Sequence, residues 1–361
     1  MDYMAVFDRV RGSLLGGAVG DALGWPIEFL QLPQIRRNYG EKGVAGFLPQ
    51  HAENEPQHIT DDTQMTLFTA EGLLRSTPGT DPVPTLRRAY LRWLQTQTQE
   101  GPAAASDGWL ASLPFLYAVR APGNACMSGL QQQARGYLAP SALGEPGPVN
   151  PDSKGCGTVI RSAPFGLAGV GPEQAFIIAA RAAQLTHGHP TGYLAAGAFA
   201  ALVDRVVSGI ELLSAVHQTI TQLLSAPAGA ETAAALTRAV ELFEASEQGA
   251  TAEQVEQVGE GWIAEECLAI AVYCALHAGR TGDIRSALLL SVNHSGDSDS
   301  TGAVTGNLIG AVHGVSGLPM EWAGAVEGRD VLIRIADDLV LNYGLGDRSN
   351  FDGRYPMDES L

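Results

Sequence analysis

Glycines recur at positions 12, 16, 20 and 24, and again at 302, 306, 310 and 314. In a helix, a spacing of four drifts only slowly around the axis, so each set lays a stripe without side chains along one face. Such a stripe costs helix stability, about 1 kcal/mol per glycine relative to alanine. Close approach of another backbone offsets that cost. The two segments are therefore expected to pack tightly at the centre of the fold, and each is a candidate partner for the other. The bland alternative is that a chain with 43 glycines produces such runs by chance, in which case the glycine faces would turn to solvent.

Apolar residues recur with a period near 3.6 through almost every long segment, at about 5–24, 61–76, 85–98, 174–186, 190–208, 211–225, 230–246, 262–278, 282–291, 299–314 and 329–343. No convincing strand pattern is present. The stretches EGPAAASDG at 100–108 and LAPSALGEPGPVNPDSKGCG at 138–157 are too rich in Pro and Gly to be regular. The expectation is an all-α fold of about ten or more helices, followed by a polar, loosely held tail.

The 361 residues carry a formal charge of -17, with no cluster of Lys and Arg to track phosphates, which argues against a nucleic-acid partner. Apolar runs break well short of the roughly 20 residues a membrane span needs. No basic leader precedes the first apolar run, so a cytoplasmic location without membrane attachment is expected. The four cysteines show no CxxC spacing, and Cys267 and Cys274 share one helical face, where burial is the simple explanation.

Three acidic stretches stand out. The first glycine helix runs into GDALGWPIEF, which sets Glu28 among Trp25, Ile27 and Phe29 just after Pro26. In HITDDTQMT, Thr60, Asp61 and Asp62 precede an amphipathic helix, and in HSGDSDSTGAV, Asp297, Asp299 and Ser300 open the second glycine helix. Capping a helix takes one acid, not two. If the three stretches converge, five carboxylates share one cleft, and like charges about 4 Å apart repel by about 1 kcal/mol even at the dielectric of water. None of these motifs holds a Lys or Arg, so divalent cations are the economical compensation. Carboxylates and hydroxyls select hard ions such as Mg²⁺, Mn²⁺ or Ca²⁺ over zinc.

With those motifs in hand, the sequence resembles the ADP-ribosylglycohydrolases, all-helical hydrolases that remove ADP-ribose from modified side chains and related acceptors. The likeness runs in order through GSLLGGAVGDALGWPIEF, ITDDTQMT, KGCGTVIRSAPFGL, THGHP and GDSDSTGAVTGNLIGA. It implies a single compact, orthogonal multi-helix domain over residues 1–345 with a dimetal cleft, and a polar C-terminal tail at 346–361. It also implies two divalent ions, Mg²⁺ or Mn²⁺, held by Glu28, Thr60, Asp61, Asp62, Asp297, Asp299 and Ser300. Many members carry Thr where this chain has Ser300, which keeps the hydroxyl. The stretch SKGCGTVIR resembles the family's diphosphate-binding loop, implicating Ser153, Gly155, Cys156 and Gly157, with Cys156 where several members have Asn. His187 matches a position near the nucleotide. For Arg161, phosphate contact and a structural ion pair are equal alternatives, and for Trp262, Glu265 and Glu266 a structural role is expected.

The implied substrate is an ADP-ribosylated protein or a small ADP-ribose conjugate, and the product is ADP-ribose. Cleavage at the ribose C1 passes through an oxocarbenium-like state, and a carboxylate must accept a proton as water attacks. Glu28, among apolar neighbours that raise its pKa, is the first candidate for that base, and Asp62 the second. Arginine-linked ADP-ribose is the expected substrate. Serine-linked or free ADP-ribose derivatives, a phosphoester hydrolase that would release AMP or phosphate, and a catalytically silent ADP-ribose-binding homologue remain the alternatives.

Overall fold

The two glycine-rich segments form helices at Tyr3–Gly24 (α1) and Ser298–His313 (α14) that run antiparallel and in register. This is seen in a computed structural model that describes residues 2–49, 55–77, 79–104, 106–246, 249–349, 351 and 353–357. Gly12 lies against Gly310, Gly16 against Gly306 and Gly20 against Gly302, and a Cβ on any of them would overlap the backbone of its partner. Gly24 continues the series against the Ser298 carbonyl. Both stripes therefore meet each other, not solvent. Asn307 closes the seam from the side, its Nδ2 donating to the Ser13 carbonyl at 2.7 Å.

Between these two lie α2 (Leu32–Tyr39), α3 (Asp61–Arg75), α4 (Val83–Thr96), α5 (Asn124–Arg135), α6 (Ala163–Leu167), α7 (Pro172–Ala183), α8 (Pro190–Val207), α9 (Leu212–Ser225), α10 (Ala230–Ala245), α11 (Ala252–Val258), α12 (Ala264–Thr281) and α13 (Ile284–Val292). The chain ends with α15 (Met320–Ala323) and α16 (Arg329–Leu339). The described residues contain no strand, only isolated bridges between Gln57 and Val326 and between Gly155 and Ile263. The all-α expectation holds.

Most expected helices match within a few residues, because their apolar faces are long and periodic. Those not foreseen, α2, α5, α6, α11 and α15, are short or weakly apolar. In α2, Gln31 and Gln34 bond each other's backbone N–H in a capping box, and Pro33 opens the first turn, so local capping does what apolar periodicity does elsewhere. α3 is the opposite extreme, buried along its whole length, with α1, α8, α12 and α14 contributing most of the remaining core. Cys267 and Cys274 lie in that core as expected.

The segment expected to be a loose tail carries two buried rings, Phe351 and Tyr355. The Tyr355 hydroxyl donates to Asp338 Oδ2 at 2.9 Å, and Arg354 pairs with the same carboxylate at 3.0 Å, which fastens the described residues of this segment to α16.

The register of α1 against α14 positions the chemistry. Because the helices are antiparallel, the C-terminal end of α1, with Asp21 and the turn to Glu28, lies beside the N-terminal end of α14, with Asp297 and Asp299. Asp21 is fully buried and ties in the third element: its carboxylate accepts from the Thr60 N–H at 3.0 and 3.1 Å, the Thr63 N–H at 3.2 Å and the Thr63 hydroxyl at 2.5 Å. The first turn of α3 is thus pinned to α1.

A candidate metal centre in an acidic cleft

Glu28, Asp61, Asp62, Asp297, Asp299 and Ser300 line one cleft of about 380 Å³, although Glu28 and Asp299 are separated by 271 positions in the chain. Glu28 follows a single 3₁₀ turn at Trp25–Ile27, where Pro26 stops α1. Asp61 and Asp62 are the first two residues of α3, Asp297 occupies the N-cap position of α14 without a side-chain capping bond, and Asp299 lies in the first turn of α14. Two helix N-termini with their partial positive charge therefore face the cleft, which favours the anionic side chains they carry. That partial charge does not balance them. No Lys or Arg is among the described residues that line the cleft.

The carboxylates are buried, and carboxylate oxygens of Glu28, Asp297 and Asp299 lie within 4.8 Å of one another. Glu28 Oε2 and Asp62 Oδ2 have no hydrogen-bond partner. Burial first, and then the neighbouring Asp297, Asp61 and Asp21, push the Glu28 carboxyl up to about 8. Burial likewise pushes Asp61 up to about 8, against the opposing bond from the Gly123 N–H at 3.1 Å. Asp62 and Asp299 are raised well above the carboxylate range by burial and then by their acidic neighbours. Clustered, partly orphaned oxygen donors without basic partners fit hard divalent cations, because each orphaned oxygen is a free ligand position and each cation removes the repulsion.

Opposite the acids, Gly155, Cys156 and Gly157 form the second wall, with His187 behind them. This loop is stitched to the start of α12: the Cys156 N–H donates to the Trp262 carbonyl at 3.1 Å and the Ala264 N–H to the Lys154 carbonyl at 2.9 Å. The Cys156 thiol, pushed up by burial and by Asp297, is protonated and donates to Asp297 Oδ2 at 2.9 Å. The absence of side chains at Gly155 and Gly157 leaves room for the His187 ring, which a Cβ at Gly155 would approach to 3.3 Å. Burial and the nearby Arg161 lower the His187 pKa to about 3, so the ring is neutral. Its Nδ1 lies 2.8 Å from the Thr186 hydroxyl.

Two of the expected site residues stand outside the cleft lining. Thr60 is fully buried behind the wall, where its hydroxyl accepts from the Asp62 N–H at 3.3 Å, an N-cap bond that fixes Asp62. Ser153 is held by its backbone, its N–H donating to the Asn150 carbonyl at 2.9 Å and its carbonyl accepting from the His189 N–H at 3.2 Å. Arg161 does not line the cleft and makes no ion pair among the described residues. Its guanidinium is buried, donates to the Thr186 hydroxyl at 2.6 Å and lies 4.6 Å from the Tyr90 ring centre. His189 caps α8, accepting from the Thr191 N–H.

Asp21, Cys126 and the aromatic pair at the mouth were not foreseen as site residues. Phe29 and Trp262 stack there with ring centres 5.8 Å apart and planes at 21°, although Phe29 is 70% and Trp262 39% exposed. Glu265 and Glu266 have structural partners, as expected: Glu265 pairs with Lys154, and Glu266 accepts from the Glu260 N–H at 3.0 Å.

Known proteins resemble this chain in sequence and fold. The ADP-ribosylglycohydrolase family model matches residues 2–348. The chain is 26% identical to ADP-ribosyl-[dinitrogen reductase] glycohydrolase of Rhodospirillum rubrum, covering 88% of this chain and 90% of that one. It is 28% identical to ADP-ribosylarginine hydrolase Tri1 of Pseudomonas putida, over 92% of this chain and 78% of the relative. A solved ADP-ribosylglycohydrolase-related protein complex superposes with a TM-score of 0.61 at 25% identity, over 95% of this chain and 100% of its own. The chain belongs to the ADP-ribosylglycohydrolase family.

Proposed function

We propose that the protein is a metal-dependent hydrolase that releases ADP-ribose from ADP-ribosylated arginine side chains. One observation carries the reading: in a chain of this family, five buried carboxylates converge on a cleft with no Lys or Arg among its described lining residues. Arginine is favoured over serine because a relative covering 92% of this chain is named for arginine-linked ADP-ribose.

Glu28, Asp61, Asp62, Asp297, Asp299 and the Ser300 hydroxyl would hold two Mg²⁺ or Mn²⁺ ions, with Thr60 acting through the cap that orients Asp62. When bound, such ions lower the pKa of water and fix ribose hydroxyls by Lewis acidity. The acceptor-linked C1–N bond breaks while a water oxygen bonds to C1, and the proton that Glu28 takes from this water is passed to the departing guanidine nitrogen. Glu28 is assigned this role because it lines the cleft with its Oε2 unpartnered. Asp62 Oδ2, also unpartnered, is the second candidate.

The Gly155–Gly157 wall would seat the diphosphate, with the His187 Nε2 beside it. The tautomer follows from the hydrogen-bond chain. Arg161 donates to Thr186 Oγ1 at 2.6 Å, and the nearer acceptor for the Thr186 hydroxyl proton is His187 Nδ1 at 2.8 Å against the Ala183 carbonyl at 3.3 Å, which leaves Nε2–H as the donor toward an anionic ligand. Phe29 and Trp262 are placed to flank the group entering at the mouth.

The test is mass-spectrometric product analysis with arginine-linked and serine-linked ADP-ribosyl peptides in Mn²⁺ or Mg²⁺. Intact ADP-ribose released from the arginine peptide supports the proposal. Release from the serine peptide alone overturns the linkage, and release of AMP or phosphate overturns the reaction.

A further inference from the structure

The thiol of Cys156 stands among the acids of the cleft. Its Sγ donates to Asp297 Oδ2 at 2.9 Å and lies 3.5 Å from Ser300 Oγ, so one residue of the Gly155–Gly157 wall meets two residues of the acidic side. The backbone fixes it there: the Cys156 N–H donates to the Trp262 carbonyl, and the Cys156 carbonyl accepts from the Val159 N–H at 2.8 Å. Of the four cysteines, Cys126, Cys267 and Cys274 are buried, and Cys156 alone is partly exposed. Glu28 closes the same group. It is 7% exposed, its Oε2 has no hydrogen-bond partner, and one of its carboxylate oxygens lies within 4.8 Å of one of Asp297.

A sulfur at this place changes which ions the cleft can hold. The carboxylates and hydroxyls alone favour Mg²⁺ or Mn²⁺, whereas thiolate is a soft ligand that favours zinc and its heavier relative cadmium. A tetrahedral ion bonded to sulfur at about 2.3 Å and to oxygen at about 2.0–2.2 Å holds those two atoms about 3.5 Å apart. Ser300 Oγ already stands at that separation from Sγ, and Asp297 Oδ2 reaches it by moving back about 0.6 Å as the shared proton leaves.

We infer that Cys156, Asp297 and Ser300 form a thiophilic cation position at the edge of the acidic cleft, taking Zn²⁺ or Cd²⁺, with Glu28 as the neighbouring oxygen donor. Binding breaks the S–H bond, forms a sulfur–metal bond and passes the thiol proton to water, with no change of oxidation state. The consequence rests on the function proposed above: Asp297 is shared with the Mg²⁺ or Mn²⁺ ions, so a thiophilic ion displaces a hard one and inhibits.

The test is titration of the chelator-stripped full chain with Cd²⁺, read by the ultraviolet sulfur-to-cadmium charge-transfer band, in wild type and Cys156→Ser. The expected result is a saturable band in the wild type that is absent in Cys156→Ser, with Cd²⁺ affinity at least about tenfold weaker in the variant. Mn²⁺ binding, read by the electron-spin resonance of the free ion, should be unchanged in Cys156→Ser, whose hydroxyl still donates to Asp297. In the wild type, added Cd²⁺ should release Mn²⁺. The wild-type band and this release remain informative if Cys156→Ser does not fold. A band that survives in Cys156→Ser, Cd²⁺ binding without the band, or Mn²⁺ that stays fully bound as Cd²⁺ saturates would overturn the inference. No Mn²⁺ binding at all, with the cadmium band intact and lost in Cys156→Ser, would contradict the proposed function while supporting this cation position.

Discussion

Gly16 and Gly306 stand face to face, each where the other's Cβ would have to be, so the backbones of α1 and α14 touch without an intervening side chain. This contact sets the register that brings the acids of the two helices together. Alanine at either position gains about 1 kcal/mol of helix propensity. It must also push the paired backbones apart, and such overpacking costs about 1–3 kcal/mol or more. Urea denaturation of metal-free Gly16→Ala and Gly306→Ala should show net destabilisation of about 2 kcal/mol. Gly279 in α12 has open space around its Cα, so Gly279→Ala should be neutral or stabilising by up to about 1 kcal/mol. Equal effects at the three positions would contradict the seam.

Stability of the metal-free protein should fall as pH rises through neutrality. Glu28 and Asp61 are raised to about 8 in the fold, and burial raises Asp62 and Asp299 well above the carboxylate range, so the native state holds protons that the unfolded chain releases near its ordinary carboxylate range of about 4. A raised carboxyl contributes stability below its unfolded pKa and loses it as pH climbs through the folded one. Melting temperatures between pH 5 and pH 8.5 in chelator should decline on this account, and the gain on adding Mn²⁺ should widen over the same interval. A metal-induced gain that is flat with pH would show that the acids are ionised without cations.

Thr186 should matter for substrate affinity although it does not line the cleft. Thr186→Val removes the hydroxyl between Arg161 and His187, and with it the control over which His187 nitrogen is protonated. KM should rise about tenfold, roughly the worth of one hydrogen bond to a charged group, with kcat changed less. Thr186→Ser should restore the wild-type KM. A purely packing role would reverse that order, because Val keeps the shape of Thr whereas Ser loses its methyl.

Trp262→Ala should also act on KM. The ring is 39% exposed and stacked on Phe29, so its loss leaves the core intact while opening one side of the cleft mouth. A guanidinium passing over an aromatic face gains about 0.5–1 kcal/mol at an exposed site. A rise of about threefold to fivefold in KM for the arginine-linked peptide is expected, with an unchanged melting temperature. No change in either parameter would remove the aromatic pair from substrate binding.

How much of this was legible in the sequence differs by element. The helices with long apolar periodicity, and the pairing of the glycine stripes, could be read because each follows from one face of one helix. Glu28, Asp61, Asp62, Asp297 and Asp299 could be read as a group because paired acids at a helix entrance exceed what capping needs. Helices such as α2, with its capping box, were missed because their stability is set by local bonds rather than by apolar period. The role of Asp21 was hidden because its partners, Thr60 and Thr63, lie about forty positions away and only the fold brings them together. Ser153 and Thr60 could not be placed relative to the cleft wall, since one residue of turn geometry decides which way each side chain points.

The central claim is that the converging acids act through bound divalent cations. The most direct measurement is ADP-ribose release from an arginine-linked peptide by chelator-stripped protein titrated with Mn²⁺, with bound metal counted in the same samples, for wild type and Asp299→Asn. The account predicts negligible release without metal, activity that rises as two ions bind per chain, and a Mn²⁺ requirement raised at least about tenfold in Asp299→Asn. Full turnover in chelator with no metal bound would contradict it.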